Sequence, residues 1–299
     1  MSLEKQLNGD LQRVPKSGCT PNNLSMYCDY NDAFTDYDQV RRPHGLRKLS
    51  QIFNRSNVPI QKQIVLEGGF GTGAYLGIFS HKVQEIYGVE GSDEGYRQTQ
   101  QKIGTAKNIH LRRGTILQLP FSDNFFHAYM VNQVLHHLDS GPPFPQLDTF
   151  LSEAHRVLML GGQVTINTCS QEQLNPDQGV YWHFKYIPGA ACSMQMHYIS
   201  IEELVGRLES AGFRGINLTI PSEKIFQQRY YEDPLIALEP DFRKGDSTYS
   251  FLSPEEIGES KVRLRTAIDD GSVYKEMERT AACAAEIGEA VIISARKGS

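Results

Sequence analysis

Two acidic side chains, Glu67 and Glu90, each close an apolar run, and the first is followed at once by Gly68, Gly69, Gly71 and Gly73 in "VLEGGFGTGAY". Glycines after a strand let main chain approach a ligand with no Cβ in the way and allow a tight turn into a helix. Gly69, Gly71 and Ala74 satisfy the dinucleotide spacing G-x-G-x-x-A, so the loop by itself leaves a nicotinamide cofactor open. Glu67 argues otherwise, because a carboxylate there repels a pyrophosphate and suits an ammonium group. Glu90, at the end of "EIYGVE", can accept hydrogen bonds from both hydroxyls of a ribose. One carboxylate for an ammonium and another for a ribose describe S-adenosyl-L-methionine better than NAD.

Further along, "NQVLHHL" puts Asn132 and Gln133 at the end of another strand, the edge where open α/β sheets bind ligands. His136 and His137 follow within a turn, and either could take a proton from an acceptor at neutral pH or simply begin a helix. "YWHFKY" concentrates Tyr181, Trp182 and Phe184, which suit the wall of an acceptor pocket or the anchor of a long loop. Cys28, Cys169 and Cys192 raise a three-thiolate arsenite site, against isolated buried thiols as the ordinary alternative. No HExxH or comparable metal-ligand set is present.

The elements that must position these groups alternate. "QIVLEGG", "EIYGVE", "NIHLRRG", "FHAYMVNQ", "QVTINTC", "GINLTI" and "GEAVIISARK" read as strands. A helix starts at the glycines in "TGAYLGIFSHK", and a second is capped by Ser92 with Asp93 and Glu94 in its first turn. Leu147, Phe150, Leu151, Ala154 and Leu158 form the stripe of a third, which Gly161 and Gly162 are expected to end. Ser200 with Glu203 starts another that stops at Gly212, and Ser253, Pro254 and Glu256 start a further one. Upstream, Leu46, Leu49, Ile52 and Phe53 fall at helical spacing. This alternation predicts an α/β fold: a doubly wound, mostly parallel, Rossmann-like sheet of seven strands, with an N-terminal helical cap and an insertion before the last strand. The expected division is one domain over 1–299, with a tail and cap at 1–60, a cofactor-binding core at 61–222, a helical insertion on the substrate side at 223–287 and the last strand at 288–299. Residues 1–35 are polar and suit either a mobile tail or a lid.

Four ordered blocks, "VLEGGFGTG", "YGVEGS", "GTILQLPFSDNFFHAYMVNQVLHHL" and "EAHRVLMLGGQVTINT", resemble the class I S-adenosylmethionine-dependent methyltransferases of the type 11, ubiquinone/menaquinone-biosynthesis-like group. The resemblance spans roughly residues 30–222 and the last strand. It implies that Gly68, Gly69, Gly71 and Gly73 lie under the methionine part of the cofactor, that Glu67 orients its ammonium, and that Glu90 with Gly91 holds the ribose. It places Thr115 and Ile116 by the adenine, where the family usually carries an acidic residue, and Tyr37 over the cofactor. Asn132 and Gln133 join the same set.

With 299 residues, 39% hydrophobic and 22% charged, the chain is ordinary for a globular protein. A net charge of -5 disfavours broad binding to nucleic acid or an anionic membrane. Five scattered cysteines without CxxC spacing, no apolar leader and no long apolar window suggest a cytoplasmic protein. The expected activity is in-line methyl transfer from S-adenosylmethionine to a small or medium-sized organic acceptor. A non-catalytic cofactor-binding scaffold and a NAD-dependent oxidoreductase are the alternatives. Oligomeric state is not legible in a single sequence.

Overall fold

A computed structural model describes residues 38, 41–226 and 229–298. Its centre is the expected seven-stranded sheet: β1 (Ile64–Gly68), β2 (Glu85–Glu90), β3 (Ile109–Arg113), β4 (Phe126–Asn132), β5 (Leu158–Thr168), β6 (Phe213–Thr219) and β7 (Val291–Lys297). The spatial order is β3-β2-β1-β4-β5-β7-β6. Strands β1 to β5 pair in parallel, whereas β7 runs antiparallel between β5 and β6.

Side-chain alternation along each strand builds two cores. Val65, Ile86, Met130 and Ile292 point to one face, where they meet Leu49, Ile52 and Phe53 of α1 (Leu46–Asn54) and Leu76 and Phe79 of α2 (Ala74–Ser80). Leu66, Tyr129, Val131 and Ile293 point to the other, against Leu147, Phe150 and Leu151 of α4 (Pro145–Val157) and Leu204 and Leu208 of α6 (Ile201–Ser210). Between them in sequence, α3 (Asp93–Ile103) is capped as expected, the Ser92 hydroxyl accepting from the Gly95 N–H. Covering both faces of a mostly parallel sheet is the doubly wound solution.

One boundary departs from expectation. Helix α4 ends at Val157, and Leu158 is already extended. Gly161 and Gly162 lie inside β5, where the register against β4 shifts between the Phe126–Leu158 and Ala128–Gln163 pairs. Gly161 has φ 74°, a left-handed conformation glycine adopts without strain, so the pair makes a bulge in a strand instead of stopping a helix.

A third apolar cluster sits above the carboxyl ends of the strands. It joins the segment after β5, with Trp182, Phe184 and α5 (Pro188–Met196), to the insertion between β6 and β7. The insertion contains the short helices α7 (Arg229–Glu232) and α8 (Pro240–Lys244) and two long ones, α9 (Pro254–Asp269) and α10 (Ser272–Ile287). Ser253 and Glu256 form the full reciprocal capping box at the start of α9. The two irregular segments of the sequence therefore share one core. The aromatic stretch 171–198, without a clear period, also contains the helix α5. No helix among the described residues is long and apolar enough to cross a membrane.

Candidate functional site

Strand order reverses direction at β1, whose neighbours β2 and β4 lead to opposite edges, and a crevice opens there at the carboxyl ends. The cleft has about 1220 Å³ including its open mouth. Glu67, Gly69, Gly71, Glu90, Gly91, Thr115, Ile116, Asn132, Gln133 and His137 all line it. Gly68 lies just behind, at the end of β1 against Tyr129 and Ile116, and Gly73 caps α2. Tyr37 and Cys28, together with the polar segment 1–35, fall outside the described residues.

The loop's glycines are required by its geometry. Gly69 has φ 66°, and a Cβ there would stand 2.7 Å from Val134 Cγ2. Gly73 has φ 79°, and its Cβ would stand 2.6 Å from Thr99 Cγ2. Glu90 braces this loop: one carboxylate oxygen accepts from the Gly71 N–H and the other from the Ser92 N–H, both at 2.7 Å. Burial raises its pKa, while these amides pull against the rise. A carboxylate offers about four acceptor positions, so both contacts leave capacity toward the cleft.

Glu67 is 1% exposed. Asn132 Nδ2 donates to its Oε1 at 3.4 Å, and Oε2 is buried without a partner. Desolvation, with a smaller contribution from Glu90, pushes its pKa well above the usual carboxylate range. A buried carboxyl oxygen lacking a donor is costly unless a cation or N–H group arrives to meet it. That orphaned oxygen beside a bare glycine floor fits the ammonium end of an S-adenosyl amino acid.

The polar chain extends further than the sequence indicates. Asn132 Oδ1 accepts from Asn167 Nδ2 at 3.4 Å, and Asn167 Oδ1 pairs with His44 Nε2 at 3.0 Å. The His44 N–H donates to the Tyr75 hydroxyl, which donates back to the His44 carbonyl, both at 2.9 Å. Burial lowers the His44 pKa to about 4, so the ring is neutral at pH 7. Sequence reasoning missed His44 and Asn167. Asn167 had a usable signal, since it lies near the carboxyl end of a strand as Asn132 does.

His136 and His137 diverge. His137 faces the cleft, whereas His136 faces a second cavity and stacks on Tyr198 with ring centres 4.6 Å apart. Burial lowers the His137 pKa to about 3 and that of His136 well below the usual value. Both rings are therefore neutral, and weak as proton acceptors, at physiological pH.

The second cavity, about 590 Å³ including its opening to solvent, lies under the cap. Tyr181 and Phe184 line it, and Arg41 and Gln133 line both spaces. Trp182 is buried in the cap core behind this wall, outside the lining of either space. Arg41 Nε donates to the Gly245 carbonyl at 2.8 Å, and the guanidinium lies 4.1 Å over the Phe226 ring and 3.8 Å from Asp246. Asp246 in turn accepts from His183 at 2.8 Å and from the Thr248 N–H at 3.0 Å. Burial pushes the Asp246 carboxyl up, but His183, Arg41 and the Thr248 amide hold it lower, at about 2.

Residues 66–166 match the family described as "Methyltransferase domain", type 11. The chain is similar to a demethylmenaquinone methyltransferase of Bacillus pumilus, 34% identical over 91 residues, covering 30% of this chain and 36% of that protein. A demethylmenaquinone methyltransferase of Lactiplantibacillus plantarum is 28% identical over 178 residues, covering 51% of this chain and 71% of that protein. Among solved structures, a candidate methyltransferase from an antibiotic biosynthesis pathway of Anabaena variabilis has the same fold, with a TM-score of 0.66, 17% identity, and coverage of 85% of this chain and 97% of that one. The chain thus spans about a third of the first relative's length and about 70% of the second's. Residues 66–166 thus carry a methyltransferase domain of the type 11 group, for which S-adenosylmethionine is the cofactor, on a sheet that shares the fold of a solved methyltransferase.

Proposed function

We propose that the chain transfers a methyl group from S-adenosylmethionine to a small or medium-sized organic acceptor. The observation that carries this reading is the buried, unpartnered Glu67 Oε2 beside the glycine loop, with Glu90 at the neighbouring strand tip. When bound, the cofactor supplies a methyl group on a sulfonium with a good leaving group. The chain's own work is alignment and exclusion of water. Glu67, oriented by Asn132, receives the ammonium. Gly69 and Gly71 form the floor, and Glu90 with Gly91 meets the ribose. Ile116 gives the adenine an apolar surface, while the Thr115 hydroxyl is already turned to the Leu117 N–H at 3.1 Å. Tyr181 and Phe184 wall the acceptor side, and Trp182 supports them from behind.

Residues 61–222 then act as the donor-binding core and 223–287 as the acceptor-side roof, to which the segment after β5 contributes. Net charge supports a small molecule over a nucleic acid as acceptor, and the free thiols Cys169, Cys192 and Cys283 support a cytoplasmic location.

Calorimetry on ligand-stripped protein tests the reading. S-adenosylmethionine and S-adenosylhomocysteine should bind, NADH should not, and Glu67→Gln should weaken S-adenosylmethionine about tenfold or more, on the order of 1.4 kcal/mol. Affinity for NADH without affinity for either sulfur nucleoside would overturn it.

A further inference from the structure

We infer, resting on that methyltransferase reading, that the second cavity receives a small carboxylic acid, whose carboxylate is held at the boundary of the two spaces by the Gln133 amide and the Arg41 guanidinium and takes the methyl group.

Gln133 is a non-glycine residue with φ 55°, a conformation that persists only where its surroundings enforce it. Its N–H donates to the Asn167 carbonyl at 2.8 Å, fixing the backbone. Its side-chain Oε1 faces the Cys169 thiol at 3.6 Å, which leaves Nε2 buried and without a partner. An unmet buried amide N–H costs roughly 1–3 kcal/mol, and what it lacks is an acceptor oxygen. Because Gln133 lines both spaces, an oxygen bound there sits where the methyl group must cross.

Charge on the same wall selects an anion. Arg41 and Lys244 both line the second cavity. Their counterpart, Asp246, has its oxygens committed to His183 and Thr248, so it orients Arg41 and does not greet an incoming ammonium. Phe226 under the guanidinium and the Gly245 carbonyl at Nε fix the fork in place, as bidentate recognition of a carboxylate requires.

A carboxylate acceptor also matches what the neighbouring histidines can do. It is ionised at neutral pH and needs no general base, which the weakly basic His136 and His137 are poorly suited to be. In the step, a carboxylate lone pair forms the new C–O bond, and the methyl C–S bond breaks with its electron pair staying on sulfur. No proton moves, and the products are a methyl ester and S-adenosylhomocysteine.

The test supplies the full chain with tritiated-methyl S-adenosylmethionine and a panel of aliphatic, aromatic and dicarboxylic acids, each paired with its amide and alcohol, alongside amines, phenols and thiols. The expected product label is released as methanol by alkali, appears with at least one acid, and is absent with its amide and alcohol. Gln133→Met and Arg41→Gln, checked for folding by circular dichroism, should each raise KM for that acid about tenfold, the loss of one charge-assisted contact, and by a clearly larger factor than any change in cofactor Kd. Saturation-transfer NMR on protein without cofactor should show contact with the acid but not its amide, lost in Gln133→Met. Alkali-stable label only, no label on any acid, or a Gln133→Met variant whose defect lies in cofactor affinity would overturn the inference. Transfer to an amine, phenol or thiol alone leaves the methyltransferase reading standing, whereas absence of cofactor binding removes that reading itself.

Discussion

Glu67 carries a consequence for pH as well as for ligand binding. Its folded pKa lies well above the ordinary value of 4.5. Between these two values the folded state keeps a proton that the unfolded state has released, so stability falls as pH rises through that window. Glu67→Gln cannot titrate, and urea unfolding of ligand-free protein should show a shallower decline with rising pH above 4.5 in the variant than in the parent. The buried histidines act in the opposite sense. His44 and His137 have folded pKa values of about 4 and about 3, so below 6.5 the unfolded state takes up protons that the folded state refuses. Their contribution is present above pH 6.5 and is lost as pH falls toward those values, so His137→Asn should lessen the loss of stability between pH 6.5 and 4.5. Glu67 and Glu90 were legible in the sequence because each ends an apolar strand. Asp246 and His44 were not, because they meet partners far away in the chain, and no local pattern encodes such a meeting.

At the scale of elements, the glycine loop and the caps make separable predictions. Gly73→Ala places a methyl group against Thr99 at a left-handed φ, so the loop must shift. S-adenosylmethionine affinity should drop about tenfold or more by calorimetry, with a stability loss of about 1–3 kcal/mol. Ser253→Ala removes one half of the capping box of α9, far from the crevice in sequence, and should cost about 1 kcal/mol in urea unfolding with cofactor affinity unchanged. Periodicity and capping residues located the central strands and their helices well, because each buries a stripe against the sheet. They misplaced the end of α4, where Gly161 and Gly162 carry the usual signature of a helix stop and instead bend a strand. They also missed α5, because its buried side is only Ala190, Ala191 and Met194 while the exposed side carries Cys192 and Met196, which blurs the contrast between an apolar and a polar face.

For the whole molecule, the cap is the least sequence-legible part, since its core draws on residues both after β5 and between β6 and β7. Trp182, the single tryptophan, is 3% exposed inside that core and reports on it directly. If the cap and the sheet form one cooperative unit, Trp182 fluorescence and far-ultraviolet circular dichroism should give coincident urea transitions, whereas a separate earlier fluorescence transition would mark the cap as an independent unit.

Strand β7 lies between β5 and β6 and hydrogen-bonds to both, yet it is the last of the seven to be synthesised. Until residues 291–297 emerge from the ribosome, the β5 edge of the nascent sheet stands open to other chains and β6 has no strand to pair with. Cofactor added during translation has no way to seal that gap, so the yield of native protein should depend on how promptly this final segment is delivered and on whether a chaperone shields the edges meanwhile.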